Sequence, residues 1–293
     1  MARKITCRNN DNMSVEFSEN DFTPLLLESC DGIYLVENNV STSENTMTDG
    51  ATYQGAVTRM RNIVLTLRDK PKSDHKANRT LLYNLFKPKS PGTFAYEEDG
   101  EIRTIDYYVE SVSIDGSMRA RQATVSLLCP DPFFVDTSDL VVTMSGWKAM
   151  WEFAHAFQDG GEPFGVRVNE KLKTIQNTSA ADHIGITITI TALGPVKNPS
   201  ITHVENDEMI KVGTSAHPLE LSLGDQVIIT TGTNNKNVYL VRAGVTTGIN
   251  EYLDEQSEFI QLMSGSNTLG YAAESGEEYM AVEVSYRYKY LGV

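Results

Sequence analysis

Cysteine is scarce in this chain: three in 293 residues, Cys7, Cys30 and Cys129, an odd number at wide spacing with no CxxC pair. That spacing fits neither a disulfide framework nor a zinc site. Buried free thiols are the expectation, because an unpaired cysteine behaves as a small apolar residue. Tryptophan is scarcer still, with two. No apolar run approaches the roughly 18 residues of a membrane span, so membrane insertion is not expected. The opening MARKITCRNNDNMSVEF has charge but neither an apolar stretch nor a small-residue cleavage site. No signal peptide is therefore read, and synthesis and assembly are expected in the cytosol. Basic residues are outnumbered, 25 against 39 acidic, for a net charge of −14. Phosphate binding needs a basic surface, so nucleic-acid wrapping and sequence-specific nucleic-acid binding are not expected. A channel along which a polyanion slides remains compatible with that charge.

Catalytic and cofactor motifs are missing as well. His75, His155, His183, His203 and His217 are scattered without HExxH or any paired-ligand spacing, and no P-loop or GxSxG elbow occurs. Gly160, Gly161 and Gly165 lack the strand-to-helix setting of a dinucleotide fingerprint. Carboxylate clusters such as Glu97-Glu98-Asp99 read as solvated surface, since nothing singles out two positions for acid–base work. The chain is expected to be no enzyme and to carry no cofactor or metal.

What the sequence does have is β periodicity. Its length suits two β-rich domains, each with its own core. In Arg61–Arg68, Ile63, Leu65 and Leu67 alternate with mostly polar neighbours, the pattern of a strand with one buried face. Pro71 stops it. Ser73 or Asp74 can cap a helix whose buried face would hold Ala77, Leu81, Leu82, Leu85 and Phe86, ended by Pro88. Asp31-Gly32, Glu98-Asp99-Gly100 and Asp115-Gly116 are turn signals. Ile105, Tyr107 and Val109 alternate, as do Ala123, Val125, Leu127 and Cys129. The polar run Glu37–Gly50 fits two readings, a mobile loop or an extended arm lying on a neighbouring subunit. These patterns predict residues 1–136 as an antiparallel β domain, sandwich-like or split-barrel-like, with one packed helix.

Residues 137–146 read as a linker, with Leu140-Val141-Val142 able to pair as a short strand. From 147 to 293 many short strands follow with turn signals between them. Ile184, Ile186, Ile188 and Ile190 alternate with threonines; Val227 and Ile229 follow Gly224-Asp225; Val238 and Leu240 follow a turn at Asn234–Asn237; Val282, Val284, Tyr286, Tyr288 and Tyr290 alternate to the end. That spacing predicts a second, all-β sandwich or jelly roll.

Two features have a functional reading beside a bland one. Trp147 and Trp151, four residues apart before Phe153 and Phe157, are candidate sugar or partner contacts, or simply cap a core. The cationic excess from Arg59 to Lys89, with Arg59, Arg61 and Arg68 as candidate inter-subunit contacts, faces either an acidic neighbour or solvent.

Several long segments carry a family resemblance. RMRNIVLTLRDKPKSDHKANRTLLYNLFKPKSPG, FAYEEDGEIRTIDYYVESVSIDG and SMRARQATVSLLCPDPFFVD resemble the amino-terminal domain of the distal tail proteins of long, non-contractile-tailed bacteriophages. ITHVENDEMIKVGTSAHPLELSLGDQVIITT, NNKNVYLV and the ending FIQLMSGSNTLGYAAESGEEYMAVEVSYRYKYLGV resemble the second domain of that family, and Leu128–Phe134 resembles the hinge between the two. The likeness is weakest in residues 1–58 and 147–180. It implies a mainly β fold whose first domain forms a hexameric ring and whose second is a galectin-like β-sandwich. It also implies partners: further copies of the chain, the tail tube protein, the tail-associated hub protein and a receptor-binding protein. The implied location is the virion tail tip, after assembly in the host bacterial cytoplasm. A carbohydrate-binding module or adhesin recognising cell-surface polysaccharide is the alternative function.

Overall fold

A computed structural model describes residues 4–19, 25–44, 49–70, 73–115, 121–149 and 165–293. The chain divides into two compact units, Met1–Thr137 with Lys289–Val293, and Ser138–Tyr288.

The first unit begins with β1 (Lys4–Asn9), β2 (Ser14–Ser18) and β3 (Leu25–Asp31), followed by a separate pair, β4 (Asn38–Glu44) and β5 (Ala51–Thr58). Then come β6 (Arg61–Asp69), the helix α1 (His75–Leu85), β7 (Pro91–Glu98), β8 (Glu101–Ile114), β9 (Gln122–Cys129) and β10 (Phe134–Asp136). Pairing runs β8-β7-β1-β2-β3-β6-β9, and β9 also pairs with β8, so seven strands close on themselves. Closure removes the exposed sheet edges that invite mispairing. The weak seam is between β2 and β3, joined by one parallel bridge, Ser18 to Leu26. The 14-residue β8 serves three partners, β7 and the short β10 with its first half and β9 with its second. Its register shifts between Val109 and Ser111. The extra residue there, Glu110, accepts from Asn62 Nδ2 at 2.8 Å and Ser126 Oγ at 2.6 Å, on the two strands beyond.

Alternation builds the interior. On β6, Ile63, Leu65 and Leu67 are buried, as the period of two predicts. They join Ile5, Phe17, Phe94, Tyr107, Val125, Leu127 and Phe134 in one core. The helix lies against it through Leu82, Leu85 and Phe86, with Phe86 stacked on Phe17 at 6.3 Å between centroids. Asp74 is the cap, accepting from the amides of Lys76 and Ala77. The buried face is the expected one at Leu81, Leu82, Leu85 and Phe86 and departs from it only in the first turn. Ala77 is exposed and Asn78 is buried, donating to Asp69 Oδ1 at 3.0 Å and Ser73 Oγ at 3.3 Å. A buried carboxylate needs donors, and Asn78 with His75, 2.5 Å from Asp69 Oδ2, supplies them. That requirement decides the first turn, while the apolar period holds from Leu81 to Phe86.

The second unit has two sheets. One runs β12 (Gly165–Asn169), β11 (Leu140–Ala149), β23 (Met280–Tyr286), β14 (His183–Ala192), β18 (Gln226–Gly232), β19 (Asn235–Arg242), β20 (Val245–Gly248), with β21 (Gln261–Met263) beside β14. The other runs β13 (Leu172–Asn177), β22 (Gly265–Ser275), β15 (Val196–His203), β16 (Glu208–Lys211), with β17 (Glu220–Leu221) beside β15. Their inner faces share one core: Ile186, Ile188, Ile190, Val227, Ile229, Val282 and Val284 from the first, Ile175, Ile201, Ile210, Leu269 and Tyr271 from the second. That is a β-sandwich.

Three local expectations change. Most of the stretch read as a linker is strand: Leu140–Gly146 belongs to β11, paired to β23, with Met144 fully buried. Only Thr233 and Asn234 turn between β18 and β19, because Asn235–Asn237 already pair across the hairpin. The closing alternation is not one strand, since β23 stops at Tyr286 and β24 (Lys289–Tyr290) pairs with β10 in the first unit.

Candidate assembly surface

The run that reads as loop or arm is a β-ribbon. β4 pairs with β5 from Asn38–Thr58 to Glu44–Ala51 and, among the described residues, with no other strand. All seven residues of β4 are exposed. Cross-strand partners share a side of a ribbon, so Val40 with Ala56 and Thr42 with Tyr53 place Val40, Ala56 and Tyr53 on one face. Tyr53 is 64% exposed and Val57, on the other face, 73%. A two-stranded ribbon is marginal in water without a further strand or a surface under it. Among the described residues neither outer edge of this one pairs with a further strand. At its root Tyr34, Leu35 and Met60 add exposed apolar area.

The root itself is rigidly built. Gly32 has φ of +90°, and a Cβ there would stand 2.0 Å from the carbonyl oxygen of Asn62, so only glycine fits. Arg61 is buried, 5% exposed, and donates to four backbone carbonyls: Pro132 at 2.8 Å, Gly32 at 2.6 Å, Ile33 at 2.9 Å and Leu291 at 2.5 Å. Its Cζ lies 5.0 Å from the centroid of the Phe134 ring. Burial lowers its pKa from the usual guanidinium value. These bonds hold Arg61 inside its own unit, which removes it from the candidate inter-subunit contacts. Arg59 stays at the surface of the root, its guanidinium 3.8 Å from Glu37, and Arg68 pairs with Glu28 at 2.7 Å. The three arginines thus serve three separate purposes, and only Arg59 sits at the ribbon. No local signal in the sequence marked Arg61 as internal, because its carbonyl partners come from distant segments.

The remaining candidates are dispersed. Trp151 and His155 lie outside the described residues, as does the side chain of Trp147, whose backbone pairs with Arg167. The polysaccharide reading rests on side chains outside the described residues. His75 binds Asp69, His183 pairs across to Met263, and His217 lies 6.4 Å from the Tyr252 ring, centroid to centroid. His203 is fully buried, Nε2 3.4 Å from Glu205 and Nδ1 3.7 Å from Glu208. Among the described residues no group of three or more His, Cys, Asp or Glu could hold a metal ion. Cys7 and Cys129 are buried free thiols and Cys30 is partly buried. Burial pushes the Cys7 thiol well above its usual value and that of Cys129 up to about 12.

Comparison with known proteins agrees with this architecture. The phage tail protein RIFT-related domain matches residues 16–129, and the siphovirus-type tail component, C-terminal domain, matches residues 179–290. No curated protein sequence matches the chain. Among solved structures it is similar to the Dit protein of phage SPP1, described as a paradigm of the hub adsorption apparatus in phages infecting Gram-positive hosts. The TM-score is 0.67 at 12% identity, covering 97% of this chain and 98% of that one. A chain of the phage P2 baseplate in its activated conformation with calcium aligns over 100% of both chains at 8% identity, with a TM-score of 0.56. At these identities the structural likeness establishes the fold, mainly β in two domains. Two domain models, matched in order along the sequence, place the chain in the distal tail protein family of long-tailed bacteriophages.

Proposed function

We propose that this protein is an architectural, non-catalytic component of the tail tip. Six copies form a ring through their first units, joining the tail tube to the host-recognition apparatus. The observation that carries the reading is the β4–β5 ribbon, an exposed element with Val40, Ala56 and Tyr53 on one face and, among the described residues, two edges without a strand partner. A ring needs head-to-tail contacts that close after a fixed rotation. A ribbon with open edges makes such a contact by adding strands to a neighbour or by laying its exposed apolar side chains on it. The tail tube protein, the tail-associated hub protein and a receptor-binding protein are the partners of the assembled hub, at the virion tail tip. The family membership and the likeness to hub and baseplate structures support this reading.

Negative-stain imaging with sedimentation velocity tests it. The full chain should give closed particles of uniform diameter. A variant lacking residues 38–58 should stay monomeric with an unchanged thermal transition, since the ribbon contributes nothing to either core. A full chain that remains monomeric at every concentration overturns the proposal.

A further inference from the structure

The cationic run from Arg59 to Lys89 holds nine Lys and Arg against two acidic residues, in a chain of net charge −14. The structure accounts for most of it. Arg61 is internal, Arg59 and Arg68 have acidic partners, and Lys87 pairs with Asp11 at 2.5 Å. The Nζ of Lys70 is buried and Lys72 lies outside the described residues. What remains on α1 is Lys76 and Arg79, both exposed and without an ion pair among the described residues. Tyr83, 51% exposed, follows Lys76 by seven positions and Arg79 by four. At 3.6 residues per turn these three share the side of the helix turned away from the buried Asn78, Leu82 and Leu85. That face is cationic, partly apolar and uncovered.

Its complement lies on the same unit. The β7–β8 hairpin ends in Glu98-Asp99-Gly100-Glu101, where Asp99 (φ +54°) and Gly100 (φ +89°) make the tight turn of a two-residue loop. The Glu101 side chain is 80% exposed although it lies 3.4 Å from Arg103, and Asp99 has no ion-pair partner among the described residues. The two features stand at opposite ends of β8. Glu101 begins that strand, whereas its last residue, Ile114, pairs with Ala123 at the end where the Asp69 amide bonds to Arg121. Asp69 in turn fastens the first turns of α1 through His75 and Asn78. Fourteen residues of strand amount to roughly 45 Å of chain. The cationic face of α1 and the acidic hairpin tip therefore belong to opposite ends of one strand.

We infer that the Lys76–Arg79–Tyr83 face of one copy docks on the Glu98–Glu101 hairpin tip of a second copy. The contact is head-to-tail, which is the type a closing ring requires, and the inference rests on the ring reading above. Screening limits such attraction to about 8 Å at physiological salt, so the charges must meet at the joint and their partner choice sets its polarity.

Charge reversal with mixing tests it, read by sedimentation velocity. One variant carries Lys76→Glu and Arg79→Glu; the other carries Glu98→Lys, Asp99→Asn and Glu101→Lys. Lys76, Arg79, Asp99 and Glu101 are exposed and Glu98 is partly buried, Asn keeps the positive φ of Asp99, and circular dichroism checks that both variants fold. Each variant alone should lose the assembled species at a concentration where the unaltered chain assembles. A one-to-one mixture should regain it, because each reversed face then finds its opposite. Assembly of either variant alone, or a mixture that stays monomeric, overturns this joint while leaving the ring itself standing. An unaltered chain that never assembles removes the ring reading, and the joint with it.

Discussion

The guanidinium of Arg61 donates to the backbone carbonyl of Leu291, 230 residues away, at 2.5 Å. The bond fastens the chain's last segment to the first unit, after the excursion through the whole second unit. Arg103 works beside it, donating to the Gly292 carbonyl at 2.9 Å and lying 3.9 Å from the centroid of the Tyr290 ring.

Arg61→Met should lower the stability of the first unit by roughly 1.5–3 kcal/mol, the range for hydrogen bonds to a charged group. Deleting residues 291–293 should destabilise it too, and combining the two should cost less than their sum, since both remove the same bond. Chemical denaturation of the four chains checks this, and strict additivity would show that Arg61 and the tail act independently.

Asn78→Ala should cost roughly 1–3 kcal/mol, because it strips a donor from the buried Asp69 carboxylate. Ala77→Leu, one position earlier on an exposed side, should stay within about 0.5 kcal/mol of the parent. Thermal melts of the pair discriminate the observed helix face from the one the apolar period suggests.

Gly32→Ala meets both an unfavourable backbone angle and the Asn62 carbonyl. The expected loss exceeds about 1 kcal/mol, and the root of the ribbon should loosen with it. Faster hydrogen exchange at residues 33–36 is the readout; unchanged exchange would contradict the close approach.

Alkaline pH should destabilise the first unit. The Cys129 thiol is raised from 9.0 to about 12 by burial, and Cys7 and Tyr107 move the same way. The folded state thus keeps protons that the unfolded state gives up near pH 9, so stability is intact below that value and declines as pH climbs toward 12. Cys129→Ala should flatten the decline measured by denaturation between pH 8 and 11. An alkylating reagent at pH 8 should leave Cys7 and Cys129 unmodified until the protein unfolds.

Strands and turns were legible wherever burial follows a local period. The Ile63–Leu67 alternation, the four isoleucines of β14, the Asp74 cap and the Asp99-Gly100 turn needed only neighbours a few residues away. The cationic run was legible as a composition, but its fate was not. Arg61, Arg68 and Arg79 look alike in sequence, yet one is buried under carbonyls, one is paired and one is left open.

From the residues alone come the β class, the absence of disulfide and cofactor motifs, and the positions of most strands, since each depends on contacts within a short stretch of chain. Tertiary structure decided which strands close the barrel, that the terminal tyrosines part between two units, and that a polar run becomes a paired ribbon with no cover of its own. Those outcomes depend on backbone groups that meet only after folding, and a side chain's partner 230 residues away leaves no trace in its local pattern.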